Sequence, residues 1–479
     1  MKNTNFLIAF LLGVFCWAQE GNWFYATMES QSALALKNNH PEGIQILETE
    51  GTQSAVYVEE EVAHQLHRNI VTHGPGFIFK SDANTAIAAI NRIFERNFDI
   101  LDFTITEDAL VNQCLELVNP ENIEETILDL VAYGTRFHTK PQAEQAVLDL
   151  KVKWETMVAA AGRTDISFRI VEHFNTPMPS LIMTIEGAES PDEYVIVGGH
   201  IDSITWNAND APGADDNASG IGSITEMIRV LLDVNYKPLK TVEFMAYAAE
   251  EIGLVGSDEI AEEYYNDGKN VVAYVQFDMT NYQGSSNDIY IIEDQYTSNE
   301  LNLYLIELLE HYNTSGTHAL SYGSSACNYG CSDHASWKER GYLASFPFEA
   351  SFNDSNPFIH TPNDEYSVSG SSDHAAKFTK LGLEFIIETA KSATMGTNEV
   401  SNANLFVAVN NGNLVYNIQN HDTKIQSLNI LDAGARRVIS KNNLELSGSI
   451  SLQGLTSGFY IAVFKDVNGK TFTKKFLVK

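Results

Sequence analysis

Two histidines and a series of carboxylates stand at the ends of apolar runs in the middle of this 479-residue chain. His200 closes YVIVGGH, with Asp202 two residues on. Asp215 lies in the turn APGADDNASG, Glu250 and Glu251 follow TVEFMAYAA, Asp278 closes NVVAYVQFD, and His360 lies in PFIHTPND. Imidazoles and carboxylates bind hard or borderline metal ions, and acids with so little basic company call for a cation. The adjacent aspartates of the turn repel each other, so a bound ion explains them more economically than an acidic helix cap. A carboxylate at Asp215 can bridge two ions through its two oxygens. Asp202 can accept the other N–H of the His200 ring and fix its tautomer. Glu250 and Glu251 point different ways, which lets one bind metal while the other holds a proton.

Such groups need a frame. Tyr194 to Gly198, Thr241 to Ala248 and Val271 to Phe277 read as buried strands, each followed at once by polar or acidic residues. Ser219 to Val234, Asn299 to His311 and Asp373 to Ala393 repeat apolar residues at three- and four-residue steps, as helices do. The alternation predicts an α/β domain over 104–395, with a mixed, largely parallel central sheet flanked by helices and its ligands at the carboxyl ends of the strands. Residues 1–18 read as a cleaved signal peptide, whose apolar run from Phe6 to Trp17 is too short to span a bilayer. No transmembrane anchor is expected. Residues 19–103, with a strand-like run from Ser54 to Val58 and a helical stretch from Asn84 to Arg96, read as a small α+β prodomain covering the site of the next domain. Residues 396–479 read as a linker and a β-sandwich.

Composition narrows the partners. A net charge of −33 disfavours nucleic acid and anionic membranes, while 44% hydrophobic and 19% charged residues fit neither wholesale disorder nor a many-span membrane protein. Without the signal, three cysteines remain in a chain bound for an oxidising compartment. The spacing of Cys327 and Cys331 invites a short-loop disulfide and leaves Cys114 over.

The motifs GGHIDS, APGADDNASG, FMAYAAEEIGLVGS, QFDMTNY, CNYGCSDHASW and PFEASFNDSNPFIHT follow one another between about Thr104 and Met395. In this series the segment resembles the family M28 zinc aminopeptidases, in particular the bacterial secreted leucyl aminopeptidases. The resemblance implies a zinc exopeptidase-like fold and two Zn2+, with His200 and Asp278 on one ion, Glu251 and His360 on the other, and Asp215 bridging. Glu250 would be the general base. Ser332 would lie near Glu250, and Tyr329, on a loop held by the Cys327–Cys331 bridge, would donate to the substrate carbonyl. Met279, Ile292, Phe346, Phe348, Phe352 and Ile359 would line an apolar pocket for the first side chain. The expected activity is removal of apolar, Leu-like residues from peptides with a free N-terminus, by a monomer. Within the same fold a carboxypeptidase would need basic residues near the pocket, where the sequence offers Lys338 and Arg340, and a glutaminyl cyclase would need one zinc. A non-catalytic surface adhesin is a further alternative. The ending GLTSGFYIAVFKDVNGKTFTKKFLVK resembles the sorting domain of type IX secretion, which implies export by that machinery to the medium or cell surface. From Gly396 onward nine basic residues face five acidic ones, opposite in balance to the rest.

Overall fold

The computed structural model describes residues 22–66, 73–91 and 103–392, and 405–478 apart from 411, 419–423, 433–436, 457 and 468–470. The expected signal peptide and the linker at 396–403 lie outside the described residues. The chain divides into two compact units between Ala393 and Thr394.

The first unit opens with β1 (Trp23–Glu29), β2 (Ile44–Glu50), β3 (Gln53–Glu59) and β4 (Phe77–Lys80), an antiparallel sheet in the order β2-β3-β1-β4. Period-two alternation puts Ala26 and Met28 of β1 and Val56 and Val58 of β3 into one small core. Helices Ser30–Asn39 and Ala83–Asn91 belong to the same subdomain, and the second begins where the sequence predicts a helix.

From 103 to 392 the strands are β5 (Ile166–Val171), β6 (Ser180–Ile185), β7 (Ser190–His200), β8 (Lys240–Tyr247), β9 (Asn270–Gln276), β10 (Ile289–Ile292), β11 (Tyr322–Ser325), β12 (Ala344–Ser345) and β13 (Pro347–Phe348). Six form the central sheet, β12-β9-β7-β8-β6-β5; the first four run parallel, and β6 and β5 add an antiparallel edge. The other three form a small sheet, β11-β10-β13. This is the mixed α/β architecture read from the sequence. β7 is buried continuously from Val195 to His200, as a central strand covered on both faces must be. Helices Gly220–Asp233 and Asp373–Ala390 pack against it and each other. The former buries Ile221, Ile224, Ile228 and Leu231 along one stripe. Parallel pairing sets His200 beside Tyr247 and Gly198 beside Gln276, so three strands end together at one edge.

The second unit holds β14 (Leu405–Asn410), β15 (Asn413–Ile418), β16 (Ile425–Asp432), β17 (Arg437–Leu444), β18 (Ser447–Ser451), β19 (Gly458–Asp466) and β20 (Thr471–Val478). Two antiparallel sheets, β14-β15-β18 and β17-β16-β19-β20, share a core that includes Leu414, Tyr416, Leu428, Ile430, Ala462 and Phe464. Among the described residues no helix is long and apolar enough to cross a membrane.

The N-terminal subdomain is locked onto the α/β body by charge as well as by packing. Lys80, fully buried, reaches Asp258 Oδ1 at 2.7 Å and Glu339 Oε2 at 2.9 Å, and Arg340 binds the same aspartate. Burial pushes Asp258 up, but Arg340 and Lys80 overrule it and hold the carboxyl below its ordinary 3.8. Removing one partner strands the other charges, at a cost of roughly 3–5 kcal/mol. Lys80→Met is therefore expected to lower the thermal midpoint and expose the N-terminal subdomain to proteolysis. Because Asp258 titrates lower in the folded chain, the wild-type advantage is full at neutral pH and shrinks as the pH falls below about 4. Unfolding scans of both proteins at pH 7 and pH 3.5 check this.

Candidate active site

β7, β8 and β9 deliver their acids and His200 to the same edge. Gly199 permits the crowding there, since a Cβ at this position would come 2.4 Å from the Phe277 carbonyl oxygen. Asn217 ties the strand ends together by donating to the carbonyls of His200 and Phe277 at 3.2 and 3.0 Å. His200 turns Nδ1 to the Asp202 main-chain oxygen, 3.2 Å away, and the Asp202 carboxylate lies 3.5 Å from the same atom. That leaves Nε2 to face Asp216 Oδ1 at 3.1 Å and Asp278 Oδ1 at 3.3 Å. On the far side, His360 Nε2 lies 3.1 Å from both Asp216 Oδ2 and Glu251 Oε2. One carboxylate thus spans the two histidines, an oxygen to each.

That carboxylate belongs to Asp216, not to Asp215 as the sequence reading has it. Asp215 points away, where its oxygens accept from the Asn281 N–H at 3.0 Å and the Asn356 amide at 3.1 Å. Burial and Asp215 together push Glu349 well above the ordinary range. The turn is fixed from outside: Asp364 accepts the N–H groups of both Asp215 and Asp216, each at 3.1 Å. Arg136 holds the Pro212 and Gly213 carbonyls at 2.6 and 2.8 Å. The peptide bond from Asp216 to Asn217 is cis. Burial, with Asp215 and Asp216 close by, raises Asp364 to about 8. Asp364, Asn356, Glu349 and Arg136 escape a sequence reading because each acts by holding backbone or another acid, which no spacing signals.

The cluster is short of hydrogen bonds. His200 Nε2, both oxygens of Asp216, both of Glu251, Asp278 Oδ1 and Glu250 Oε1 are buried without a hydrogen bond. Such atoms are costly unless something pairs with them. Burial alone would push His200 and His360 down, yet Asp278 and Asp216 around the first, and Glu251 and Asp216 around the second, hold both rings well above their ordinary value. Asp216 and Asp278 lie below theirs despite burial, held there by the facing histidines. A divalent cation satisfies the same electron pairs without protons, and two imidazoles with carboxylates are a donor set that suits zinc. The groups His200–Glu250–Glu251 and Asp216–Glu251–His360 each bring ligand atoms within 4.8 Å of one another.

The remaining site residues surround this cluster. The Glu250 and Glu251 N–H groups donate to the two oxygens of Asp202, at 3.0 and 3.3 Å, so Asp202 orients both the histidine and the acidic turn. Burial, with Glu251 and Asp333 nearby, pushes Glu250 well above the ordinary carboxylate range. Ser332 donates to Asp278 Oδ2 at 2.6 Å and receives Gln276 Nε2 at 2.8 Å. Gln276 also holds Asp333, which burial raises to about 7. Met279, Ile292, Phe346, Phe348 and Ile359 form one buried apolar cluster with Cys327 and Cys331, and Tyr329 and Phe352 pack against it. The two cysteines are disulfide-bonded, and Cys114 is a free thiol in the core, where burial pushes it up to about 12. Ala249, Met279 and His360 adopt left-handed backbone angles, φ 55°, 54° and 56°, at or beside the acids and histidines they present. Such conformations cost about 1–3 kcal/mol each and persist where surrounding structure enforces them.

The profile of peptidase family M28 matches residues 180–385. Leucine aminopeptidase 1 of Ajellomyces capsulatus (strain H88) is 31% identical over 321 residues, which cover 63% of this chain and 80% of that protein. The chain belongs to peptidase family M28. The crystal structure of the Legionella pneumophila LapA aminopeptidase superimposes with a TM-score of 0.67 at 30% identity, covering 77% of this chain and 99% of that one. LapB from the same organism gives 0.66 at 26% identity, covering 78% and 100%. This M28 chain is an enzyme, a zinc-dependent aminopeptidase hydrolase.

The two neighbouring aspartates should separate cleanly in a metal assay. Asp216→Asn is expected to lose bound zinc and at least about 100-fold in activity, whereas Asp215→Asn keeps its zinc, because Asp215 already spends its oxygens on Asn281 and Asn356. Zinc content by elemental analysis after gel filtration distinguishes them. Since binding displaces protons from the histidines, affinity rises with pH in both the wild type and the Asp215 variant.

Proposed function

We propose that this chain is a secreted dizinc aminopeptidase that removes apolar, Leu-like residues from peptides with a free N-terminus. The observation that carries the reading is the convergence of His200, Asp216, Glu251, Asp278 and His360, whose facing atoms lie 3.1 to 3.3 Å apart in a cluster with no lysine or arginine among them. His200 and Asp278 would hold one ion and Glu251 and His360 the other, with Asp216 between them. A zinc pair supplies Lewis-acid polarisation of the scissile carbonyl and an acidified water. The rest falls to the protein. Glu250 would take a proton from the attacking water and pass it to the departing amine, a reading supported by its Oε1 being buried without a hydrogen bond. The Tyr329 hydroxyl would donate to the substrate carbonyl. The apolar cluster around Phe346 and Phe348 would receive the first side chain, discriminating by roughly 1–3 kcal/mol per methylene.

A cleft of about 430 Å³ bordered by His360, Trp206 and Ile252 would take the peptide beyond the cleaved bond. The basic residues that a carboxypeptidase would need are engaged elsewhere. Arg340 binds Asp258 and Glu262, and Lys338 Nζ donates to Ser298 at 3.0 Å. We assign residues 1–18 to a signal peptide, 19–103 to a prodomain, and the C-terminal sandwich to type IX sorting, with the mature enzyme a monomer at the cell surface or in the medium.

Hydrolysis of a leucine anilide is expected to vanish on chelation and return with zinc, at a metal-to-protein ratio near two. A ratio near one with no anilide turnover would point to a cyclase instead. Glu250→Gln should keep both ions while turnover drops by about 10²–10⁴.

A further inference from the structure

Residues 73–76 carry the N-terminal subdomain into the active site. β4 sets their course: the Phe79 N–H donates to the Gly253 carbonyl at 2.9 Å, on the turn that begins with Glu250. His73, just before this strand, is only 2% exposed. Its Nε2 lies 3.0 Å from Asp278 Oδ2, and ligand atoms of His73, Asp216 and Asp278 fall within 4.8 Å of one another. Nδ1 makes no hydrogen bond, and Nε2 faces Asp278. The ring centroid is 5.5 Å from that of Phe348 and 5.9 Å from that of Phe346, inside the apolar pocket. The main-chain carbonyl of His73 accepts the Tyr329 hydroxyl. Gly74 follows at φ +70°, and a Cβ there would come 2.4 Å from the Cys331 carbonyl oxygen, so the backbone lies flat on the disulfide loop.

One residue thus meets three features that an N-terminal substrate residue would use: a nitrogen at the acid cluster, a side chain between the phenylalanines, and a carbonyl on Tyr329. We propose that His73 is a displaceable ligand of the metal position formed by His200, Asp216 and Asp278, an internal stand-in for the amine of a substrate. The proposal rests on the dizinc reading above. A neutral imidazole nitrogen and a free amine are both neutral nitrogen donors, so they compete for one coordination position. His73 is internal to the chain and fills that position without offering a terminus. The apparent affinity for an amine then falls by the fraction of molecules in which His73 is withdrawn. If 1% are withdrawn, amines bind about 100-fold more weakly than to an open site.

The test uses the full chain loaded with cobalt(II) in place of zinc, with n-butylamine as the competing amine and the visible cobalt spectrum as readout. His73→Ala is expected to hold the same cobalt per chain, to show an altered ligand-field spectrum, and to bind butylamine at least tenfold more tightly. Free imidazole should restore the wild-type spectrum to it. Gly74→Val keeps the imidazole but cannot lie against Cys331, so it should shift spectrum and affinity in the same direction, and thermal unfolding verifies that both variants are folded. Folded variants with wild-type cobalt content, spectrum and butylamine affinity would overturn the proposal and leave the dizinc reading standing. A wild-type chain that takes up no cobalt would overturn both.

Discussion

Five buried carboxylates, Asp216, Glu250, Glu251, Asp278 and Asp333, crowd two histidines at one edge of a sheet, and no lysine or arginine is recorded pairing with any of them among the described residues. Two like charges about 4 Å apart repel by about 4 kcal/mol at an effective dielectric of 20, so such a group holds together only around cations. Much of the α/β body serves this constraint. Parallel strands bring the acids to one edge, Asp202 and Asp364 use backbone N–H groups to fix the two acidic turns, and Arg136 ties down loop carbonyls instead of neutralising a site acid.

What the sequence made legible follows from the same physics. Strands buried on both faces read as unbroken apolar runs, so β7, β8 and β9 and the polar residues that end them stood out, and with them His200, the Glu250 turn and Asp278. The antiparallel edge of β5 and β6 did not, because which neighbour a strand pairs with is a tertiary choice. The adjacent aspartates were the harder case. Spacing says that one of two side chains enters the site, while the choice between Asp215 and Asp216 is made by Asn281, Asn356 and Glu349, which lie 66 or more residues away. The bonds of Ser332 to Gln276 and Asp278 are hidden from spacing for a similar reason, since more than 50 residues separate them.

His73 was invisible for a different reason. A lone histidine in a small α+β subdomain carries no motif, and its neighbours in the fold come from positions 278, 329, 346 and 348. Only docking of the N-terminal sheet gives it meaning. That docking relies on Lys80 with Asp258 and Glu339, on the Phe79–Gly253 hydrogen bond, and on Tyr296 and Gln295 donating to Glu29 at 2.6 and 2.7 Å. The Phe79–Gly253 bond lies on the turn that begins with Glu250, so the subdomain is braced against the turn that presents this acid.

The left-handed angles at Ala249, Met279 and His360 connect this bracing to the chemistry. Each lies at or next to one of the clustered acids and histidines, and none is the conformation an isolated chain would choose. The restraints that hold them are multiple: Asp202 on the Glu250 turn, Asn217 on the Met279 N–H at 3.3 Å, and the loop that runs from Asn356 through His360 to Asp364. These restraints come from the chain's own side chains and backbone. A frame fixed in this way holds its groups within narrow limits of position and angle, which is what a binding or catalytic constellation requires.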